Sequence, residues 1–349
     1  MVNINLYREQ FKAIARQSSL SDSDIEDVLV YASGLADNNV PIIYSPQHFC
    51  QLVGYQEEFV YSMSNVSHLF YKEYTIPKRN GGVRIIHEPY PSLKDIQKWI
   101  YINILRNLCK SHVSPVAKAY LPKISIKENA KFHKKQNTVI CLDISDFFPN
   151  INFNHIFSIF KSFGYTKQVA VLLSNLCLRN DSLPQGSPTS PFLSNIVLKS
   201  TDECLFKYAI DNDLRYTRYA DDMTFSGENV DIKSLLSCVR KTIKKAGFTL
   251  NKSKTKILSQ ASRQQVTGIV VNQGMSAPRS YRLEIRQDIY YIIKYGMEKH
   301  LKEIKSPLDP ITYAKSLLGK INHTLSINPK DIQMIKYQKW MKEYIYSGK

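Results

Sequence analysis

The sequence predicts an α+β chain, with an antiparallel sheet in its middle and helices towards both ends. Three observations carry this reading. Short β-prone runs alternate with helical apolar spacing between about residues 70 and 271. Tight turns join such runs, at Asn80-Gly81-Gly82 and at the bend holding Asp221 and Asp222. The flanking stretches, residues 1 to about 70 and those beyond Pro278, carry helical patterns.

The elements follow in order. Ser23 with Glu26 forms a capping box ahead of Asp27-Val28-Leu29-Val30-Tyr31, so a helix is expected there. Pro41 and Pro46 then interrupt. YKEYTIPKRNGGVRIIHEP reads as a hairpin, decorated by Lys78, Arg79 and Arg84. SLKDIQKWIYINILRNLCK, residues 92–110, has apolar spacing near 3.6 and predicts a helix.

TVICLDI, residues 138–144, is β-branched and apolar and predicts a buried strand. Helices are expected over Phe157–Phe163 and residues 192–213. RYADDMTFSG, residues 218–227, is a short hairpin; a helix over Ile232–Ala246 and strands near Lys256–Leu258 and Gln265–Val271 follow. The helical C-terminal stretch breaks at Pro307 and Pro310.

Composition bounds the function. The 349 residues are too many for one small core and suggest two or three lobes. A 43% hydrophobic share with 22% charged residues belongs to a folded, soluble chain. The longest apolar run, Val169 to Leu178, is too short to span a bilayer, and MVNINLYREQ is no secretory signal. Cys50, Cys109, Cys141, Cys177, Cys204 and Cys238 are scattered, as expected of reduced thiols in a cytoplasm.

Charge is the outlier. Forty-seven Lys and Arg against 30 Asp and Glu give +17, which favours a polyanionic partner. Lys241–Arg263 holds seven basic residues and no acid. Arg279–Lys349 holds 14 basic residues against seven acids, interleaved with tyrosines suited to stacking on bases. Many of these tyrosines must also serve as core.

Asp221 and Asp222 are adjacent, and Asp143 ends the TVICLDI strand. If that strand neighbours the hairpin, Asp143 faces Asp221 and three carboxylates converge. Such crowding is costly unless divalent cations lie among them, and hard oxygen ligands select Mg²⁺. Two such ions suit phosphoryl transfer on a nucleic acid. LPQGSPTSPFLSN, residues 183–195, adds a loop in which a glycine would let the backbone approach a planar ligand such as a base pair.

LDISDFFPNI, LPQGSPTSP and RYADDMTFSG, in this order, resemble the catalytic motifs of reverse transcriptases. The resemblance runs from about Tyr74 to Val271 and is nearest to bacterial retron reverse transcriptases. Asn129-Ala130 with His133, and Val266-Thr267-Gly268, match patterns of that subfamily. The resemblance implies a right-hand fold: an N-terminal helical extension over 1–69, fingers and palm over 70–275, and an RNA-binding thumb over 276–349. It also implies that Asp143, Asp221 and Asp222 are catalytic carboxylates. With the Ile144 carbonyl they would hold two Mg²⁺ ions.

The same resemblance assigns Lys78 and Arg84 to the triphosphate of a dNTP and Phe148 to a steric gate against a ribose 2′-OH. Gln185 and Gly186 would meet the nascent pair, and Lys254 would protonate pyrophosphate. Asn129, His133, Val266, Thr267 and Gly268 would contact a cognate non-coding RNA. That RNA would be copied from an internal guanosine 2′-OH into branched single-stranded DNA, in antiphage defence with an effector protein. Diversity-generating or abortive-infection reverse transcriptases, and a non-catalytic RNA-binding scaffold, are the alternatives at this level.

Overall fold

The computed structural model describes residues 4–17, 21–78 and 81–347. The chain divides into two compact units. The first comprises residues 1–122, 144–208 and 233–251; the second comprises 123–143, 209–232 and 252–349.

The first unit is mainly helical and opens with Ile4–Gln17, Asp22–Asp37, Pro46–Val53 and Glu57–Asn65. The second of these starts two residues before the expected box. Ser21 is its cap, accepting from the Asp24 backbone N–H at 3.1 Å. Asp22 and Asp24 thereby fall in the first turn, where the helix dipole favours negative charge. Pro46 opens the third helix behind a Ser45 cap, because proline fits a first turn that needs no N–H there.

Strands β1 (Tyr71–Pro77) and β2 (Val83–Pro89) form the expected hairpin, in register from Tyr71↔Pro89 to Pro77↔Val83. The Lys78 N–H donates to the Gly82 carbonyl at 3.0 Å and the Gly81 N–H to the Lys78 carbonyl at 3.1 Å. Arg79 and Asn80 of this turn lie outside the described residues.

The helix expected over 92–110 is α-helical only over Pro91–Ile100, then opens into a π turn, Tyr101–Leu105, and a 3₁₀ turn, Arg106–Leu108. Asn103 and Asn107 explain the change: their side-chain amides donate to the carbonyls of Trp99 and Asn103, competing with the backbone ladder. Phe153–Ser162 packs on Lys167–Cys177, a helix that the apolar run at 169–178 supplies. The expected 192–213 helix is two, Ser190–Val197 and Lys199–Asp211. Ile232–Lys245 is helical as expected.

The second unit holds a four-stranded antiparallel sheet of β3 (Thr138–Asp143), β4 (Arg215–Tyr219), β5 (Asp222–Gly227) and β6 (Lys256–Ser259), in the order β4-β5-β3-β6. A small hairpin follows, β7 (Gln265–Val266) and β8 (Ile269–Val270). Val139, Val266, Ile269 and Val271 share one buried cluster with Ala130, Ala277 and Ile327.

Helices Arg279–Tyr295, Met297–Glu303, Pro310–Ile327 and Ile332–Ser347 complete this unit around a separate core. Ile285, Ile289 and Ile292 supply that core at helical spacing, with Tyr281, Tyr313, Tyr337 and Tyr344 at its edge. Tyr290, Tyr291 and Tyr295 are exposed instead. Among the described residues no helix is long and apolar enough to cross a membrane.

Candidate active site

Antiparallel pairing of β3 with β5 brings the acids together. The Cα partner of Asp143 is Asp222, not Asp221, because Ala220 and Asp221 form the β4–β5 turn and Asp222 is the first residue of β5. Directly opposed residues of an antiparallel pair share a sheet face. Ala220 turns the chain with φ 59°, unfavourable for a residue with a Cβ. Arg218, fully buried, donates from Nη1 to the Ala220 carbonyl at 2.9 Å and braces this turn.

The electrostatics follow from this crowding. Burial among protein atoms first, then the charges of Asp221 and Asp143, push the Asp222 carboxyl up to about 6. The Asp222 residue nonetheless exposes surface to solvent. Lys254 and Lys256 oppose the rise. The Lys254 ammonium sits on both oxygens of Asp143, 3.0 Å from Oδ1 and 2.9 Å from Oδ2. That hydrogen bond holds the ammonium above its ordinary range, with the three aspartates acting the same way. Asp143 is buried, whereas the Lys254 side chain is 59% exposed, so the cation comes to the acid from the solvent side.

This donor set fits a hard divalent cation: carboxylate oxygens only, repelling one another, with a protein ammonium already drawn to one of them. Among the described residues no three His, Cys, Asp or Glu side chains stand together as a ligand cage. The acids sense one another's charge without being closed around a common point.

Asn129 and His133 lie inside the second unit. His133 is fully buried, one ring nitrogen 2.7 Å from Ser226 Oγ on β5 and the other 2.7 Å from Thr217 Oγ1 on β4. Burial, helped by the Arg215 charge, pushes the imidazole down to about 3, so it is neutral. It ties together the two strands that carry the Asp221-Asp222 turn. Asn129 donates to Thr267 Oγ1 at 3.3 Å, while its Oδ1 finds no partner among the described residues.

Thr267 and Gly268 are the two turn residues of β7–β8, both at positive φ (44° and 86°), an arrangement unfavourable for β-branched threonine. Val266 is core. Asn129, His133 and Val266 are thus enclosed, and only the Thr267-Gly268 turn of this set reaches the surface. Any contact that the enclosed residues make with RNA would run through what they position.

The remaining candidates lie in the first unit. Lys78 and Arg84 are exposed on the β1–β2 hairpin. Phe148 is half-buried, edge-on to Phe147 and Tyr120 at ring distances of 5.6 and 6.5 Å. Ile144 is buried and bridges to Leu250. The Gln185 carbonyl accepts from the His87 N–H at 2.7 Å, which fixes the loop to β2. Gly186 has φ 125°, and a Cβ there would stand 2.7 Å from the His87 carbonyl oxygen. Protein backbone thus approaches this glycine closely. Gly186→Ala is expected to destabilise the protein by roughly 1–3 kcal/mol, read as a lower thermal unfolding midpoint.

Two residues escaped the sequence reading. Arg218 opens the RYADDMTFSG hairpin, and an Arg beside a turn of acids is the available signal. Gln97, fully buried, donates to Tyr71 Oη (2.8 Å) and the Leu176 carbonyl (2.7 Å) and accepts from Ser187 (2.8 Å), which anchors the Gln185-Gly186 loop. Nothing local marked Gln97, because its partners are 26 to 90 residues away.

Residues 76–271 match the family model described as reverse transcriptase (RNA-dependent DNA polymerase). The Escherichia coli retron Ec86 reverse transcriptase is 34% identical over 226 residues, 64% of this chain and 70% of that protein. The chain belongs to the retron reverse transcriptases. The E. coli retron Ec73 enzyme is 30% identical over 275 residues, 74% of this chain and 83% of that one. The Myxococcus xanthus retron Mx65 enzyme is 33% identical over 235 residues, 62% of this chain and 54% of its own length. The chain thus spans just over half of that relative. The matched segment contains β3 to β8 and with them Asp143, Asp221, Asp222 and Lys254.

Proposed function

We propose that this RNA-directed DNA polymerase copies part of a cognate structured RNA into single-stranded DNA, starting from an internal guanosine 2′-hydroxyl so that RNA and DNA remain branched together. The observation that best supports the polymerase chemistry is the β3–β5 register, which sets Asp143 opposite Asp222 beside a turn containing Asp221. In the reaction the primer hydroxyl oxygen forms a bond to the α-phosphorus of a dNTP, and the bond to the departing pyrophosphate breaks. Two Mg²⁺ ions, bound by Asp143, Asp221, Asp222 and the Ile144 carbonyl, would lower the hydroxyl's pKa and stabilise the pyrophosphate.

The protein's own groups supply the rest. Lys254 carries a proton on Nζ, held by Asp143, and delivers it to the pyrophosphate as it leaves. Lys78 and Arg84 take the triphosphate, Phe148 excludes a 2′-OH, and Gln185 and Gly186 meet the nascent pair. Lys254→Met should lower synthesis about 100-fold with little change in unfolding temperature; unchanged steady-state primer extension would remove this role.

Residues 1–69 form an extension, 70–275 the fingers and palm, and 276–349 an RNA-binding thumb. The cognate RNA and its DNA product, an effector protein, a cytoplasmic site of action and a role in antiphage defence complete the proposal. RNA affinity should fall steeply with salt, because each phosphate contact on a single strand contributes about −0.7 to the slope of log K against log salt. Five contacts would lose about 100-fold for a fourfold rise in salt; a flat response in filter binding would contradict a basic RNA-binding surface. Extension of a DNA primer on an RNA template with Mg²⁺ and dNTPs tests the activity itself, and absence of product with wild-type protein would overturn it.

A further inference from the structure

The C-terminal helices carry a cavity of about 470 Å³ that plays no part in the chemistry above. Its lining comes from the end of helix Arg279–Tyr295 and from Met297–Glu303: Asp288, Tyr291, Tyr295, Lys299, His300 and Glu303. That size suits a single small organic ligand. Tyr291 is parallel to Tyr295 (21°, ring centres 6.0 Å apart) and to His300 (14°, 6.1 Å). His300 is buried and fixed near Asp288 (3.5 Å) and Tyr313 Oη (3.4 Å), so one aromatic wall is held in place. Tyr291 and Tyr295 themselves are exposed, leaving ring surface for a ligand.

The charges are unevenly placed. Asp288 and Glu303 bring carboxylates to the cavity within a segment otherwise rich in lysine. Lys294 and Lys299 flank Tyr295, their ammonium groups 5.1 and 5.3 Å from its ring centre. A cationic side chain would be repelled by these two ammoniums. A nucleotide satisfies every feature at once: a base stacks on tyrosine, its N–H edge donates to a carboxylate, and its phosphate meets the lysines. Guanine alone presents two adjacent donors, N1–H and N2–H₂, to one carboxylate.

We propose that this cavity binds an unpaired guanine of the RNA, with Tyr291 and Tyr295 as stacking faces, Asp288 or Glu303 as acceptor, and Lys294 and Lys299 on the phosphate. This deepens the RNA-binding reading of residues 276–349 and rests on it. The test uses the full chain and two fluorescein-labelled heptaribonucleotides, UUUGUUU and UUUUUUU, compared by anisotropy. The guanine-containing strand should bind about tenfold tighter. Tyr291→Ala and Glu303→Gln/Asp288→Asn should abolish that preference, and Tyr291→Phe should retain it.

Guanosine monophosphate should compete for the guanine strand and free arginine should not. Equal affinity of wild-type protein for both strands overturns the proposal, as does preference surviving Tyr291→Ala, or competition by arginine instead of the nucleotide. Primer extension by the wild-type chain, measured alongside, separates the two readings. Synthesis without guanine preference removes only the cavity's role, and absence of synthesis removes the polymerase reading whatever the strands do.

Discussion

Asp143→Asn is expected to abolish DNA synthesis, lowering it by on the order of a thousandfold or more, while RNA affinity should change little. The size follows from its place. Asp143 is the buried carboxylate of the site, it opposes Asp222 in the β3–β5 ladder, and it holds Lys254 by both oxygens. Losing a group aimed at developing charge costs about 10²–10³ even for a single neutral donor, and here a full charge is removed. The substitution also relieves part of the repulsion that raises Asp222, so that carboxyl should titrate closer to the ordinary carboxylate range. The folded state should therefore lose little stability while activity disappears. Primer extension and thermal unfolding on the same preparation check both halves, and activity within tenfold of wild type would remove Asp143 from the mechanism.

His133→Ala has the second large effect, and it acts first on stability. The change strands Ser226 Oγ and Thr217 Oγ1 inside the protein and leaves a void, which together should cost roughly 2–4 kcal/mol. Synthesis should fall with it, because the two strands that position the Asp221-Asp222 turn lose their tie. A pH signature separates this from generic damage. The folded-state imidazole titrates near 3 and the unfolded one near 6.5, so the unfolded chain binds the extra proton between those values. The stability that the neutral imidazole contributes is whole above about 6.5. It is lost as pH falls towards 3, at up to about 1.4 kcal/mol per pH unit. His133→Ala should flatten that slope, which urea unfolding at several pH values would show. An unchanged slope would mean that His133 is not buried as a neutral group.

The sequence was most informative where chemistry and local pattern coincide. The strand ending in Asp143, the hairpin at Asp221-Asp222 and the β1–β2 hairpin were legible because alternation and turn residues mark them locally. Ladder register was not. Whether Asp143 opposes Asp221 or Asp222 depends on which two residues make the turn, and alanine at positive φ is not what composition suggests. The buried roles of Asn129 and His133 were also hidden. Polar residues in a short motif read as ligands for RNA, and only burial shows that they hold Thr267, Thr217 and Ser226. At Gly186 a close approach was legible, but not that the His87 carbonyl is one of its neighbours. Helix boundaries shifted where side chains compete with backbone, as at Asn103 and Asn107.

The most direct test of the central claim is the nucleic acid that the protein carries when purified from cells containing its native locus. Digestion with RNase and with DNase, followed by a debranching enzyme, reads out a 2′,5′-linked RNA–DNA hybrid. The hybrid should be present with the wild-type chain and absent with Asp221→Asn. DNA without a branch would contradict the priming mechanism, and RNA alone, or a hybrid that persists in Asp221→Asn, would contradict the assignment of the site.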